Sequence, residues 1–597
     1  RTPWHLSNIT KPITIYCEPK PHQSRSVVMK ISFVHRTELL EDLGKRNSNS
    51  LEFVMLVMGA LDTYDSYSTE FLLQETSRVL KSGGVLFVQG SPRILPQLGV
   101  FLDEQLTFKY WLAIESDLVE NIPLPSVHAA VMLFTKGNGR FNIKRVRLPH
   151  QFCIACKRTL KDWGGKAHLR HPEGYVISDV VKDLPQANNH SHISRPLFDL
   201  LLEMLDFLPS KHGQQDHLHN MPPTEINGLI GPIEGLSWKY TLVSEPQIQY
   251  VLPGFSQPPT ERDEEETKGA ASPLIDTDNL FNVIHQGDAI EILRQYPDES
   301  VDLVFADPPY NLDKDYIVYD DEQSDHQYID WCNEWLVEYI RILKPTGSLF
   351  VLNLPHWALY HADFLNRHLH FQNWIVWDAL SEPRGKVMPA HYALLFYTKS
   401  LEKFTFNYDS VSPIDARHYC LRASCIRQRK ERGNDDKSVL TDLWWDIHRI
   451  KHRRDRDYHP CQLPELLMKR IIQLSTDPGD VVLDAFGGTG TTPLTALELG
   501  RQYVAIDLDP YYVKIMREKI EQVEEHGRIR RQSIRRSALP VTKKALQLEL
   551  RRLTRDLGRL PTQKDVREKS RYDLEIYLET FPTWGKALKA AKLEMQS

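Results

Sequence analysis

Short apolar runs recur at intervals along the second half of the chain, and amphipathic segments fill the gaps between them. Val301-Asp-Leu-Val-Phe305, Ser348-Leu-Phe-Val-Leu352 and Val481-Val-Leu483 each suit a buried strand. Between the first two, residues 328–343 carry apolar side chains at helical spacing. Strands alternating with helices predict an α/β fold with a largely parallel sheet. The first half shares this rhythm and some of the wording. Ser77-Arg-Val-Leu-Lys-Ser-Gly-Gly-Val-Leu-Phe-Val88 reappears as Tyr339-Ile-Arg-Ile-Leu-Lys-Pro-Thr-Gly-Ser-Leu-Phe-Val351. Phe108-Lys-Tyr-Trp-Leu-Ala113 matches Phe371-Gln-Asn-Trp-Ile-Val376, and the strand starting at His128 matches the one starting at His391. Ile177-Ser-Asp-Val180 matches Leu440-Thr-Asp-Leu443. Four correspondences in one order predict an internal duplication. Residues 1–253 and 279–526 are the two halves, and the stretch 254–278, rich in Pro, Glu, Asp, Thr and Ser, is the linker. A small helical unit follows at 537–597, while residues 205–250 show little periodicity and receive no assignment.

Composition adds bounds rather than answers. A chain of 597 residues exceeds one core, which agrees with several domains. It has no apolar run of 18 residues and no signal-like opening, so the expectation is a soluble, cytoplasmic and nucleoid-associated protein. The first residue is Arg1 rather than Met, which suggests trimming or a few missing residues. Seven cysteines argue against a disulfide framework in such a chain. The formal net charge of −6 does not advertise nucleic-acid binding, but the charge is segregated. Residues 261–266 are acidic, whereas 449–456 and 528–536 are basic strips, suited either to phosphates or to plain solvated surface.

Candidate chemistry concentrates in the second half. Val301-Asp-Leu-Val-Phe-Ala-Asp-Pro-Pro-Tyr-Asn311 places an acid, two prolines and an aromatic just after a strand, where open α/β sheets bind ligands. Pro308 and Pro309 stiffen the turn, so that the Asp307 carboxylate and the Pro308 carbonyl can accept both hydrogens of one amine. Tyr310 offers a face on which an extruded base can stack. A bare tight turn would look the same. Further on, Val481-Val-Leu-Asp-Ala-Phe-Gly-Gly-Thr-Gly-Thr-Thr492 reads as strand, glycine-rich turn and helix start. Asp507 closes the next strand at a distance that suits a sugar diol. The Gly-Gly-x-Gly spacing departs from the dinucleotide fingerprint, and a phosphate-loop lysine is missing.

At these residues the second half resembles the amino-methyltransferase family of DNA modification enzymes, over roughly residues 280–525. Asp307-Pro-Pro-Tyr310 is similar to the family's catalytic motif, and Asp484-Ala-Phe-Gly-Gly-Thr-Gly490 to its cofactor motif. The catalytic motif comes first, which is the permuted order of the β group. His459-Pro-Cys-Gln-Leu-Pro464 resembles the element touching the cofactor's methionine part, and Gly287-Asp288 the pair facing its adenine. The resemblance implies S-adenosylmethionine as cofactor, held by Asp484, Phe486, Gly487, Gly488, Gly490, Thr491, Asp507, Gly287, Asp288, His459 and Gln462. It also implies double-stranded DNA as partner, alone or beside a restriction or defence subunit. An Asp before Pro-Pro-Tyr favours adenine N6, with cytosine N4 and a non-catalytic DNA-binding component as alternatives. The implied fold is a tandem of Rossmann-like methyltransferase domains, the first degenerate, with a small C-terminal helical domain.

Aligning the halves sets Val57-Met-Gly-Ala60 opposite Asp307-Pro-Pro-Tyr310, and nothing in the first half answers the glycine-rich turn. Residues 1–253 are therefore expected to be a dead copy that serves as a built-in partner, an intrachain pseudo-dimer. Cys153 and Cys156 with His168 and His171 have donors suited to zinc, although two buried thiols would explain the pair as well. Cys420 and Cys425 lie at the matching place of the second half, but their looser spacing speaks against a shared metal. Residues 408–456 match the family's target-recognition insert, and 160–166 resemble such a region. Trp444 and Trp445 fit a core better than a base contact. Within 540–597, Thr562 reads as a helix cap and the Trp, Leu and Ala stripe as a small core. This unit resembles the helical repeat found beside homing endonucleases, which implies DNA binding, with a protein-contact bundle as the alternative.

Overall fold

The computed structural model describes residues 13–17, 27–35, 38–58, 66–120, 123–137, 143–160, 170–182, 184, 193–205, 225–233, 279–312, 323–379, 386–411, 413–420, 422–432, 437–448, 462–526, 543–581, 583–591 and 593. The linker 254–278, the strips 449–456 and 528–536, residues 161–166, His168 and His459 lie outside the described residues. Packing divides the chain into two compact units. One comprises Arg1–Ala270, Leu354–Tyr397 and Val411–Asp446, the other Ala271–Asn353, Thr398–Ser410 and Ile447–Ser597. This division departs from the contiguous boundaries read off the sequence, because two stretches of the second half pack with the first.

The first unit holds an eight-stranded sheet. Its order is Ile13–Cys17, Val27–His35, Glu225–Ile233, Leu51–Val57, Leu80–Gly90, Ser126–Thr135, Thr107–Glu120 and Val180–Val181. Leu51–Val57 and Leu80–Gly90 run parallel with their carboxyl-terminal parts fully buried, which is why they read as continuous apolar runs. What draws the two later stretches into this unit is a set of paired contacts. The Trp111 and Trp374 rings stack at 3.9 Å with an interplanar angle of 2°. Trp111 Nε1 lies 3.1 Å from His128 Nε2, and Trp374 Nε1 lies 3.1 Å from His391 Nε2. Asp179 accepts the backbone N–H groups of Ala390 and His391 through one oxygen, and Asp442 accepts those of Val127 and the Ser126 hydroxyl. Trp111 and Trp374, His128 and His391, and Asp179 and Asp442 hold corresponding positions in the similar segments, and the two aspartates share one equivalent donor, Ala390 on one side and Val127 on the other. Helices Leu95–Asp103 and Pro355–Leu365 pack on each other, and a Cβ added at Gly99 would come within 3.1 Å of Leu359.

The second unit carries five parallel strands in the order Val283–Gln286, Gln502–Asp507, Val481–Asp484, Val301–Ala306 and Leu343–Asn353. The chain leaves Val301–Ala306 toward one edge and Val481–Asp484 toward the other. The crevice between these neighbours is therefore a topological switch point. Helix Asp325–Ile342 makes the first crossover and opens with a reciprocal Ser324–Gln327 capping box. Both sheets repeat one irregularity. Val301 faces Leu343 and Leu303 faces Ser348, just as Leu51 faces Leu80 and Phe53 faces Val85. They differ at two places, the first being the additional antiparallel edge strand Ile13–Cys17 of the first sheet. Between the strands at residues 27–35 and 51–57 the first sheet has only Glu225–Ile233, where the second inserts both Gln502–Asp507 and Val481–Asp484.

Four short helices from Lys543 to Ala590 close the second unit around Leu546, Leu550, Leu553, Tyr577, Phe581 and Trp584. Thr562 caps the second of them in a reciprocal box with Asp565, and Arg559 grips the same carboxylate with two nitrogens. That pairing holds the Asp565 carboxyl well below the usual range. No helix among the described residues is long and apolar enough to cross a membrane.

Candidate active site

The register of the central strands sets Phe305 beside Asp484, so the acid turn and the glycine-rich turn emerge at one level. Asp307 follows its strand directly. Its Oδ1 accepts the Tyr310 hydroxyl at 2.5 Å. Tyr310 is buried, so it lies tethered to the acid rather than spread as an open platform for a base. Behind the turn, Tyr328 donates to the Pro309 carbonyl at 2.6 Å and receives the Asn353 amide at 3.1 Å. Asn311, at φ 51°, exchanges two hydrogen bonds with the Gln323 backbone and ties the turn to the start of the crossover helix.

The second turn is built around two buried acids. Asp484 accepts the Phe486 N–H at 2.9 Å and the Thr492 hydroxyl at 2.5 Å, and burial pushes its carboxyl up to about 6. It holds the turn in shape from beneath. Gly490 takes φ 85° ahead of helix Thr491–Glu498, and a Cβ there would meet Met516 at 2.7 Å. A Cβ at Gly487 would sit 3.0 Å from the Met516 sulfur. The positive φ and the close contact together call for glycine at 490, while a side chain at 487 would have to displace the Met516 sulfur. Asp507 accepts the N–H groups of Gly488 and Asp509, both at 2.8 Å. Burial, with Asp509 and Asp484 nearby, pushes its carboxyl up to about 7.

The other implied residues are partly brought in. Gln286 pairs with Asp507, and the Gly287 N–H reaches the Asp507 carbonyl at 3.1 Å. Asp288 is an exposed helix cap whose Oδ1 accepts the N–H groups of Ile290 and Glu291. Leu463, next to Gln462, offers its carbonyl to the Thr491 hydroxyl at 3.5 Å, which draws this segment to the helix start. Three contributors escaped the sequence reading. Tyr339 donates to the Phe305 carbonyl at 2.9 Å and accepts the Ala485 N–H at 3.0 Å, so one hydroxyl bridges the ends of both strands. Trp335 packs edge-on against Phe486 at 5.3 Å. Asp509 is buried with an Oδ2 that has no hydrogen-bond partner among the described residues, while its Oδ1 meets Arg567 of the C-terminal helices at 3.3 Å. The Asp-x-Asp spacing was the one signal that could have flagged it.

The expected ligand set Cys153, Cys156, His168 and His171 is not the one that assembles. Cys153 and Cys156 converge with Cys420 and Cys425, all four sulfurs within 4.8 Å of one another. His171 is absent from that group, and its Nδ1 instead takes the Glu173 N–H at 3.3 Å. Between residues 408 and 456, Trp444 is fully buried, and Arg417 lies over the half-buried Trp445 at 5.5 Å.

The raised carboxyls of Asp484 and Asp507 give a pH dependence with a definite sign. In the unfolded chain each ionises near 4. The folded chain therefore binds more protons between about 4 and 7, and stability falls as pH rises through that window. In urea unfolding of the ligand-free protein, Asp507→Asn is expected to flatten this decline. An unchanged slope would refute the assigned environment.

An acid turn and a glycine-rich turn flanking one switch point define a Rossmann-like α/β protein. The DNA methylase family matches residues 301–518, and the homing endonuclease associated repeat matches 541–594. Type II methyltransferase M.BamHI of Bacillus amyloliquefaciens is 38% identical over 250 residues, 41% of this chain and 58% of its own length. DNA adenine methyltransferase YhdJ of Escherichia coli (strain K12) is 33% identical over 244 residues, 40% of this chain and 82% of its own. Among solved structures, the cytosine-N4-specific PvuII DNA methyltransferase is 22% identical, covering 39% of this chain and 84% of its own at a TM-score of 0.30. The chain belongs to the DNA methylase family.

Proposed function

We propose that this protein methylates adenine N6 in double-stranded DNA, drawing the methyl group from S-adenosylmethionine and acting on a base flipped out of the helix. The observation that carries the reading is the convergence of Asp307 with the Gly487–Gly490 turn at one switch point. An exocyclic amine is a weak nucleophile because its lone pair is delocalised into the ring. Asp307 and the Pro308 carbonyl accept its two N–H donors and favour a pyramidal nitrogen with its lone pair directed outward. Extrusion is required because the amine is out of reach inside the duplex. Tyr310 yields Asp307 as the base enters, since its hydroxyl and the amine compete for one carboxylate. Phe486 and Trp335 form an apolar wall beside the turn.

The residues present fit the cofactor. Glycines that admit close approach lead into a helix N-terminus, and beside them Asp507 and the unpartnered Asp509 Oδ2 suit hydroxyl donors such as a sugar diol. When bound there, S-adenosylmethionine supplies an electrophilic methyl group that needs no metal. Gly287, Asp288, Gln462 and His459 complete the set by family resemblance.

The first half is the inactive copy in this reading. Val57 and the buried Met58 stand where the second half has Asp307 and Pro308. The matched tryptophan, histidine and aspartate contacts of the first unit support an intrachain pseudo-dimer. Residues 408–456 serve target recognition, the C-terminal helices add DNA contacts, and a restriction or defence setting suits the relatives' type II names. Incubation with labelled cofactor and plasmid DNA, followed by digestion to nucleosides, is the test. Labelled N6-methyladenosine is expected. N4-methylcytosine would replace the base assignment, and no label in either nucleoside would leave a DNA-binding role only.

A further inference from the structure

The four cysteines come from distant parts of the chain. Cys153 lies 3.7 Å from Cys425, 272 positions away, and Cys156 lies 3.6 Å from Cys420, 264 positions away. All four belong to the first unit, and three are buried. Free thiols gathered this tightly would waste hydrogen-bonding capacity and invite oxidation. A tetrahedral metal explains the spacing instead. With metal–sulfur bonds of about 2.3 Å, the sulfurs of a zinc tetrathiolate stand about 3.8 Å apart.

The surrounding backbone is shaped for the same purpose. Lys157 follows Cys156 at φ 55°, and its N–H returns to the Cys153 carbonyl at 2.8 Å. The Cys153 N–H meets the Arg158 carbonyl at 2.7 Å, and Phe152 bridges to Thr159. This tight hairpin turns both sulfurs toward one point. On the other side, Arg429 donates to the Cys420 carbonyl at 3.0 Å and approaches the Cys425 sulfur at 3.7 Å. A guanidinium there offsets the double negative charge of four thiolates around one divalent ion.

We infer that Cys153, Cys156, Cys420 and Cys425 form a structural zinc site that staples the target-recognition segment of the second half to the matching segment of the first. Four protein ligands leave no open position, so the ion has no part in methyl transfer. Zinc is favoured over iron because a structural staple gains nothing from redox chemistry, and sulfurs this close enclose one ion rather than a cluster. The inference is independent of the reaction proposed above.

The test uses the full-length reduced protein, produced with added zinc and purified without metal-affinity resin. About one zinc per chain is expected by elemental analysis, with four sulfur neighbours by X-ray absorption. Titration with an organomercurial should release that zinc as the four thiolates react. Cys420→Ser and Cys156→Ser should each lose most of the metal, whereas His171→Ala and Cys332→Ser should retain it. Release from the unmodified protein stands as evidence even if the serine variants are insoluble. A zinc-free protein that also fails to take up added zinc would overturn the inference. So would iron in its place, a nitrogen among the ligands, or full zinc retention in Cys420→Ser.

Discussion

Asp307→Ala should lower the rate of methyl transfer by about 10³-fold or more, with binding of DNA and cofactor changed only a few-fold. The asymmetry follows from where the carboxylate acts. Asp307 contributes once the amine is in place, while the glycine-rich turn is held from beneath by Asp484 and the two strand ends are bridged by Tyr339. In the resting protein Asp307 Oδ1 accepts the Tyr310 hydroxyl. Single-turnover transfer measured beside equilibrium binding separates the two effects. Equal losses in rate and in binding would mean that Asp307 shapes the pocket rather than the reaction.

A loss of about 3–5 kcal/mol in stability is expected for Trp111→Ala, and a similar loss for Trp374→Ala. Each removes a fully buried indole from a stacked pair, opens a cavity and takes away the N–H that the neighbouring imidazole accepts. Because the rings share one contact, the double variant should lose less than the sum of the singles. Urea unfolding followed by tryptophan fluorescence and circular dichroism measures all three. Strict additivity would show that the two rings are packed independently.

Much of this architecture could be read before any coordinates. Parallel strands buried on both faces give continuous apolar runs, so Val301–Ala306 and Val481–Asp484 announce themselves. Gly490 is legible because its left-handed backbone calls for glycine, and Gly487 because any side chain there would crowd Met516. Thr562 and the tryptophan, leucine and alanine stripe of the last helices were equally plain. Long-range partnership was not. Cys420 and Cys425 looked unsuited to a shared site because their spacing differs from that of Cys153 and Cys156, yet ligands need a common point in space and not a common interval. Tyr339 falls in the helical stretch 328–343, and nothing local reveals that its hydroxyl ends between two strands. Asp288 shows the opposite limit. A family pattern implied a ligand contact, and the side chain is also spent on capping a helix.

The packing of helices Leu95–Asp103 and Pro355–Leu365 holds a last consequence. In a dimer of identical subunits any substitution at the dyad is made twice, so only changes tolerable on both sides survive. Here the equivalent contacts already differ. His356 meets the Asp103 carboxylate at 2.7 Å on one side, while Asn366 donates to the Arg93 carbonyl at 3.1 Å on the other. Carrying both faces on one polypeptide lets each drift alone, so a His–Asp contact can arise on one side while the other keeps a side-chain bond to a backbone carbonyl.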